Sequence, residues 1–225
     1  MAQDEYEFTT RGGMMARMVC REGTNDRMVA EACIEQDEYQ TADIDAGYVL
    51  DIGGHIGSWT VGYLLDHPES GAVIVEPLPE NARQIATNLA LNNLASRVLI
   101  VVGALAPKTG GVTIPWNFSE AEGAEMHRYI GGQRMPDGVQ FSTLEAMGWP
   151  LSDLLGFTDA DSVGIMKIDC EGGESALVGQ DLSRVGIIVG EYHVPRDPLW
   201  LWMAKTHDVQ MEGAETFGSF RATPL

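Results

Sequence analysis

Basic side chains are scarce in this sequence: 14 Lys and Arg stand against 33 Asp and Glu, a formal net charge of −19. A phosphate backbone is normally gripped by Lys and Arg, so the charge argues against nucleic acid as a partner. The acidic groups gather at 4–7, 31–38 and 120–125, and these runs read as solvated faces. Long apolar runs are also missing. Stretches such as Gly186 to Val189 and Val98 to Val102 fall far short of the ~20 residues a membrane-spanning helix needs, so no membrane partner is expected. The first residues, Met1 to Glu7, lack the basic and then apolar pattern of a secretory signal. Cysteine is sparse: Cys20, Cys33 and Cys170 are odd in number, and no Cys-x-x-Cys pair suggests zinc or a redox motif. That usage fits a reducing compartment, and the expected localisation is cytoplasmic.

What is present is an alternation of strand and helix patterns. With 44% apolar residues the chain can bury one sizeable core, and the expected organisation is a single domain over 1–225. A strand at Met14 to Cys20 leads to a helix that Thr24-Asn25-Asp26 caps and that runs to about Tyr39. Then come a strand at Tyr48 to Ile52, a glycine-rich turn, a helix from about Gly57 to Leu65, a strand at Ala72 to Glu76, a helix opened by Pro79 and a strand at Val98 to Val102. Nearly continuous Val, Ile and Leu in these strands fits a parallel sheet with helices on both faces, an α/β architecture. From Pro107 to Gly148 the pattern loosens, with turn signals at Gly110-Gly111, Gly131-Gly132, Met135-Pro136 and Asp137-Gly138. A short helix near Ser152, a strand at Val163 to Asp169, a helix from about Glu174 to Leu182 and a strand at Val185 to Glu191 follow. A helix over Asp197 to Lys205 and a hairpin of Val209 to Glu212 with Thr216 to Ala222 complete the chain.

Three segments carry chemistry. In Asp51-Ile-Gly53-Gly54-His55-Ile-Gly57 the glycines let the backbone turn tightly and approach a ligand closely, although an ordinary strand-to-helix turn has the same look. Its spacing departs from the G-x-G-x-x-G that seats a pyrophosphate, and a carboxylate at that tip suits a cationic group. Glu76, ending the next strand, can accept both hydroxyl protons of a ribose. Lys167-Ile-Asp169-Cys-Glu171-Gly-Gly-Glu174 lies at the tip of the fourth central strand, where the winding of an open sheet reverses and ligands bind. Asp51 and Asp169 are expected to face each other across that crevice. Period-two alternation puts Glu191 and His193 on one side of the chain after the fifth strand.

Gly23-Thr-Asn-Asp26 leading to Glu38-Tyr39, Val49 to Thr60, Val75-Glu-Pro77 with Asn81, and Met166 to Glu174 together resemble the FkbM-type methyltransferases, a branch of the S-adenosylmethionine-dependent class I enzymes. The resemblance runs from about residue 14 to the end. It implies a doubly wound Rossmann-like class I methyltransferase fold: a seven-stranded, mostly parallel sheet with an antiparallel C-terminal hairpin strand and an N-terminal strand-helix extension. Residues 1–46 would be the lead-in, 47–106 the cofactor-binding half, 107–148 an insertion or lid in which acceptor identity resides, and 149–225 the acceptor-side half. S-adenosylmethionine is the implied cofactor, with Asp51, Gly53 and Gly57 at its methionine part, Gly54 and His55 completing the loop, and Glu76 with Pro77 at the ribose. Ala104 takes the adenine side and Asp169 borders both cofactor and acceptor. The sequence has Gly103-Ala104-Leu105 where many methyltransferases carry an acidic side chain, so adenine recognition there falls to the backbone.

The implied reaction is methyl transfer to a small-molecule acceptor, expected to be the hydroxyl of a sugar or natural-product-like compound. The hydroxyl proton must leave, and a base helps by ~10²–10⁴-fold. His193 is the first candidate base, oriented by Asp169 or Glu191; a divalent cation held by those two carboxylates ranks lower, and no metal ligand is assigned. Lys167 reads as one half of an ion pair, Cys170 as core, and Trp200 and Trp202 as packing or a homodimer contact. A nicotinamide-dependent oxidoreductase and a non-catalytic cofactor-binding scaffold are the rival readings.

Overall fold

The computed structural model describes residues 2–116, 142–158 and 160–225. The acidic run 120–125, His127 and the turn signals at 131–138 lie outside the described residues.

The chain opens with an antiparallel hairpin, β1 (Gln3–Thr9) and β2 (Met15–Arg21), in register from Gln3 opposite Arg21 to Thr9 opposite Met15. No strand is expected from the acidic start, yet Tyr6 and Phe8 alternate with Glu5 and Glu7 at period two, and Phe8 is buried while the acids are exposed. Helix α1 (Asp26–Ile34) stops well before Tyr39. Asp37 takes a left-handed φ of 51°, and its carboxylate accepts from the Thr41 and Ala42 amides, a side-chain turn that competes with helix.

The central elements are β3 (Tyr48–Ile52), α2 (Ser58–Asp66), β4 (Gly71–Glu76), α3 (Pro79–Leu91) and β5 (Val98–Val102). Short β6 (Ala104–Leu105), β7 (Gly110–Trp116) and β8 (Ser142–Trp149) make a separate three-stranded sheet in the order β6-β8-β7. Then follow α4 (Leu151–Gly156), β9 (Val163–Ile168), β10 (Val185–Tyr192), α5 (Arg196–Met203), β11 (His207–Gly213) and β12 (Gly218–Pro224). The main sheet has seven strands ordered β11-β12-β10-β9-β3-β4-β5, parallel except at β12, which pairs antiparallel with β10 and β11. This is the expected doubly wound α/β fold. The helix expected over Glu174 to Leu182 is only a 3₁₀ turn, Gly173–Leu177, between left-handed Gly172 and Gly179, where glycine favours a break over helix continuation.

Strand alternation sorts the core into two layers. Leu50, Ile52, Val73, Val75, Met166 and Ile168 face one side with α4 and α5, while Val49, Ile74, Ile165 and Val189 face the other with α1 to α3. Asp51 and Lys167 belong by parity to that second face, and they are direct partners across the β3–β9 register. Among the described residues no helix is long and apolar enough to cross a membrane.

Candidate functional site

The chain runs β3, β4, β5 in one direction and returns to β9 on the other side of β3, so the winding reverses between β3 and β9. At the carboxyl ends of β3, β4 and β9 a cavity is open to the centres of water molecules over about 180 Å³. Gly53, Gly54, His55, Glu76, Pro77, Ala104 and Asp169 line it, as do Lys167, Glu171 and, from the N-terminal segment, Asn25, Val29, Cys33 and Tyr39.

The glycine loop makes its turn through backbone conformations that other residues take at a cost. Gly53 has φ 82°, and a Cβ there would collide with the carbonyl oxygen of Asp169. Gly53→Ala is therefore expected to destabilise the chain by more than the ~1–2 kcal/mol of left-handed strain alone. At about 2–4 °C per kcal/mol the drop in Tm exceeds roughly 3 °C, and an unchanged Tm would contradict the close approach of β3 and β9. His55 is also left-handed, φ 50°, and its backbone N–H donates to Glu76 Oε2 at 2.9 Å. Glu76 Oε1 accepts from the Leu78 N–H at 3.0 Å and from Asn81 Nδ2 at 3.2 Å. Burial pushes the Glu76 carboxyl pKa up against these donors. Oε1 accepts two of these bonds and Oε2 one, so of the carboxylate's roughly four acceptor sites one, on Oε2, is left for a ribose hydroxyl.

Asp51 does not line the cavity and does not face Asp169 across it. It is fully buried, with Oδ2 accepting from Thr60 Oγ1 at 2.7 Å and Oδ1 3.2 Å from Lys167 Nζ. That last contact is an ion pair, and Lys167 Nζ also donates to the Gly53 carbonyl at 2.7 Å. Burial alone would lower the Lys167 pKa, but the charges of Asp51 and Asp169 hold it above its ordinary value. Gly57, left-handed at φ 86°, precedes α2 and also lies behind the wall.

Two polar atoms bordering the cavity, Asn25 Oδ1 and Ser58 Oγ, have no hydrogen-bond partner among the described residues. Asn25 stands at the N-cap of α1, where an Asn normally binds its own helix, and makes no such bond.

Past β10 the carboxylates converge on His193. Its Nδ1 lies 3.4 Å from Glu174 Oε1 and 4.0 Å from Asp169 Oδ1, and its Nε2 lies 3.5 Å from both Glu171 Oε2 and Glu191 Oε2. Glu174 is fully buried and also accepts from the Cys170 and Gly172 amides, while Asp169 Oδ2 accepts from the Tyr39 hydroxyl at 2.9 Å. Burial works against a charged imidazole, yet Glu174, Glu191 and Glu171 push its pKa up to about 11. These carboxylates favour the charged imidazolium, which speaks against the expected role of His193 as the base. Burial first, then repulsion from Asp169, Glu174 and Glu191, pushes Glu171 up to about 8 against the lowering charge of His193.

Glu171 is the residue the sequence reading passes over. Its segment is conspicuous, but only the left-handed φ of 54° brings its carboxylate to His193, and no spacing rule announces that. Asp169, Glu174 and His193 offer three ligand atoms within 4.8 Å of one another. Glu191, expected with Asp169 to hold a cation, is not in this group and approaches the opposite ring nitrogen.

The family model for the methyltransferase FkbM domain matches residues 51–217. The chain has no match among curated proteins. Among solved structures it is similar to an FkbM methyltransferase from Methylobacillus flagellatus, with 13% identity, a TM-score of 0.48, and coverage of 79% of this chain and 43% of that one. This chain thus spans less than half the length of that relative. It is also similar to the precorrin-6y C5,15-methyltransferase of Geobacter metallireducens, at 12% identity, TM-score 0.52, covering 92% and 93% of the two chains. A third likeness is to the 16S rRNA N2 G1207 methyltransferase of T. thermophilus in complex with AdoMet and guanosine, at 11% identity, TM-score 0.52, covering 100% of this chain and 51% of that one. At these identities the likeness is one of fold.

Proposed function

Because the chain belongs to the FkbM methyltransferase family, we propose that it transfers the methyl group of S-adenosylmethionine to a hydroxyl of a small sugar or natural-product-like molecule. The observation that carries this reading is a cavity lined by both an anchored carboxylate suited to a ribose, Glu76, and a second carboxylate, Glu171, whose pKa is pushed up to about 8. The donor supplies a methyl carbon made electrophilic by its sulfonium. The chain's part is to hold and align the two substrates and to take up one proton.

Gly53 and Gly54 present backbone to the methionine part, with Asn25 and Ser58 in the same wall. Glu76, next to Pro77, accepts from a ribose hydroxyl through Oε2. Gly103 and Ala104 border the adenine. Asp51 serves indirectly, by neutralising Lys167 beneath the loop. Asp169, fixed by Tyr39, carries negative charge at the acceptor end. Glu171 receives the acceptor's hydroxyl proton, and the His193 imidazolium, pinned by Glu174 and Glu191, orients Glu171 and keeps its pKa from rising further. The net charge of −19 favours an acceptor without a phosphate backbone.

S-adenosylhomocysteine at a hundredfold its Kd should add roughly 2.7 kcal/mol, a Tm rise of roughly 5–10 °C. Stabilisation by a nicotinamide dinucleotide instead would overturn the assignment. Tight binding without S-adenosylhomocysteine release across a panel of hydroxylated acceptors would favour a scaffold.

A further inference from the structure

The residues matched by the family begin at 51, yet Asn25, Val29, Cys33 and Tyr39 wall the same cavity. We propose that the N-terminal hairpin and α1 complete the cofactor site, with Arg21 and Asp26 as positioning residues that set Glu76 for the ribose. This rests on the reading of Glu76 given above.

The connection is a closed ring of contacts. Arg21 Nε donates to Asp26 Oδ2 and its Nη2 to Asp26 Oδ1, both at 2.8 Å. Its Nη1 donates to Asn81 Oδ1 at 2.8 Å. A guanidinium has donors only, so Asn81 must turn its oxygen toward Arg21 and its amide nitrogen toward Glu76, the geometry seen at 3.2 Å. On the other side, His55 Nε2 lies 3.1 Å from Asp26 Oδ1, which holds the ring while the His55 backbone, in its left-handed conformation, donates to the second oxygen of Glu76. Both Glu76 oxygens are therefore fixed through groups that lead back to Arg21 and Asp26.

The pair is buried, with side-chain exposures of 8% for Arg21 and 0% for Asp26. Burial would raise the Asp26 pKa, but hydrogen bonds from Arg21 and His55 hold it well below the carboxylate range, so Asp26 stays a carboxylate beside Arg21. A tie that only attached the hairpin could end on any surface of α2 or α3. This one ends on two of the three groups that orient a single carboxylate.

The test compares binding of S-adenosylhomocysteine with that of its 2′-deoxy counterpart, by calorimetry, in the wild-type chain, Arg21→Lys and Asp26→Asn. Arg21→Lys keeps the charge beside Asp26 and loses the second arm to Asn81, which guards against simple unfolding. The wild type should prefer the ribose ligand by roughly tenfold to a hundredfold, the range for a hydrogen bond to a charged group. In the variants that preference should fall to about threefold or less through weaker binding of the ribose ligand, with the deoxy ligand held as before. Unchanged preference in a folded variant, or equal loss for both ligands, overturns the proposal and leaves the ring as an anchor. Failure of the wild-type chain to bind either ligand would instead overturn the reading of the site itself.

Discussion

Asp51→Ala is expected to destabilise the chain by about 3–5 kcal/mol, and adding Lys167→Met is expected to restore most of that loss. Asp51 and Lys167 stand opposite each other across β3 and β9, on the face closed by α1 to α3, and both are buried. Removing the carboxylate leaves a buried ammonium with the Gly53 carbonyl, the Tyr39 ring face and the more distant charge of Asp169 in place of its direct partner. Replacing both by apolar groups of similar reach removes the uncompensated charge, which in buried pairs is often neutral or better. Urea denaturation of the two single variants and the double variant measures the coupling as a double-mutant cycle. The sequence alone suggests a different outcome, loss of cofactor through a lost contact with Asp51. If Asp51→Ala left the denaturation midpoint in place and still abolished S-adenosylhomocysteine binding, the buried-pair account would fail.

The contrast shows which physical information a sequence displays. Strands β3 and β5 coincide with the expected Tyr48 to Ile52 and Val98 to Val102, and α3 starts at the expected Pro79, because apolar runs and a helix-opening proline are local signals. The glycine loop and Glu76 stand out in the sequence for the same reason: one follows an apolar strand and the other ends one, both local signals. Asp51 was misplaced because its surroundings depend on β9, which joins the sheet more than a hundred positions later, and residue parity in one strand does not reveal who stands opposite. Asp26 is a sharper case. At a helix start it reads as a capping residue, but its carboxylate is taken by Arg21 and His55, a choice made by how the hairpin packs on the glycine loop. The short 3₁₀ turn after Gly172 likewise depends on tertiary contacts, since Glu174 turns inward to the Cys170 and Gly172 amides and to His193.

The same convergence of acids from β9 and β10 governs how turnover should depend on pH. Glu171 can take a proton only as a carboxylate, and its pKa is pushed up to about 8, so kcat should climb about tenfold per pH unit below that value and level off above it. Glu171→Gln should lower kcat by ~10²–10⁴-fold and remove the limb. His193→Asn removes the charge that lowers the Glu171 pKa, and the limb should shift to higher pH. Were His193 the base, with its pKa at about 11, the limb would lie near 11 and would survive Glu171→Gln. Linkage keeps the two readouts apart. His193 is raised from 6.5 to about 11 on folding, so its stabilising contribution is full below 6.5, declines progressively above that and is lost as pH rises through about 11. Glu171 is raised from 4.5 to about 8, so its protonated form favours the fold at low pH and that contribution is lost as pH rises through about 8. A profile of kcat that rises while Tm falls gently across the same window is what these opposite signs require; kcat and Tm falling together there would reject Glu171 as the proton acceptor.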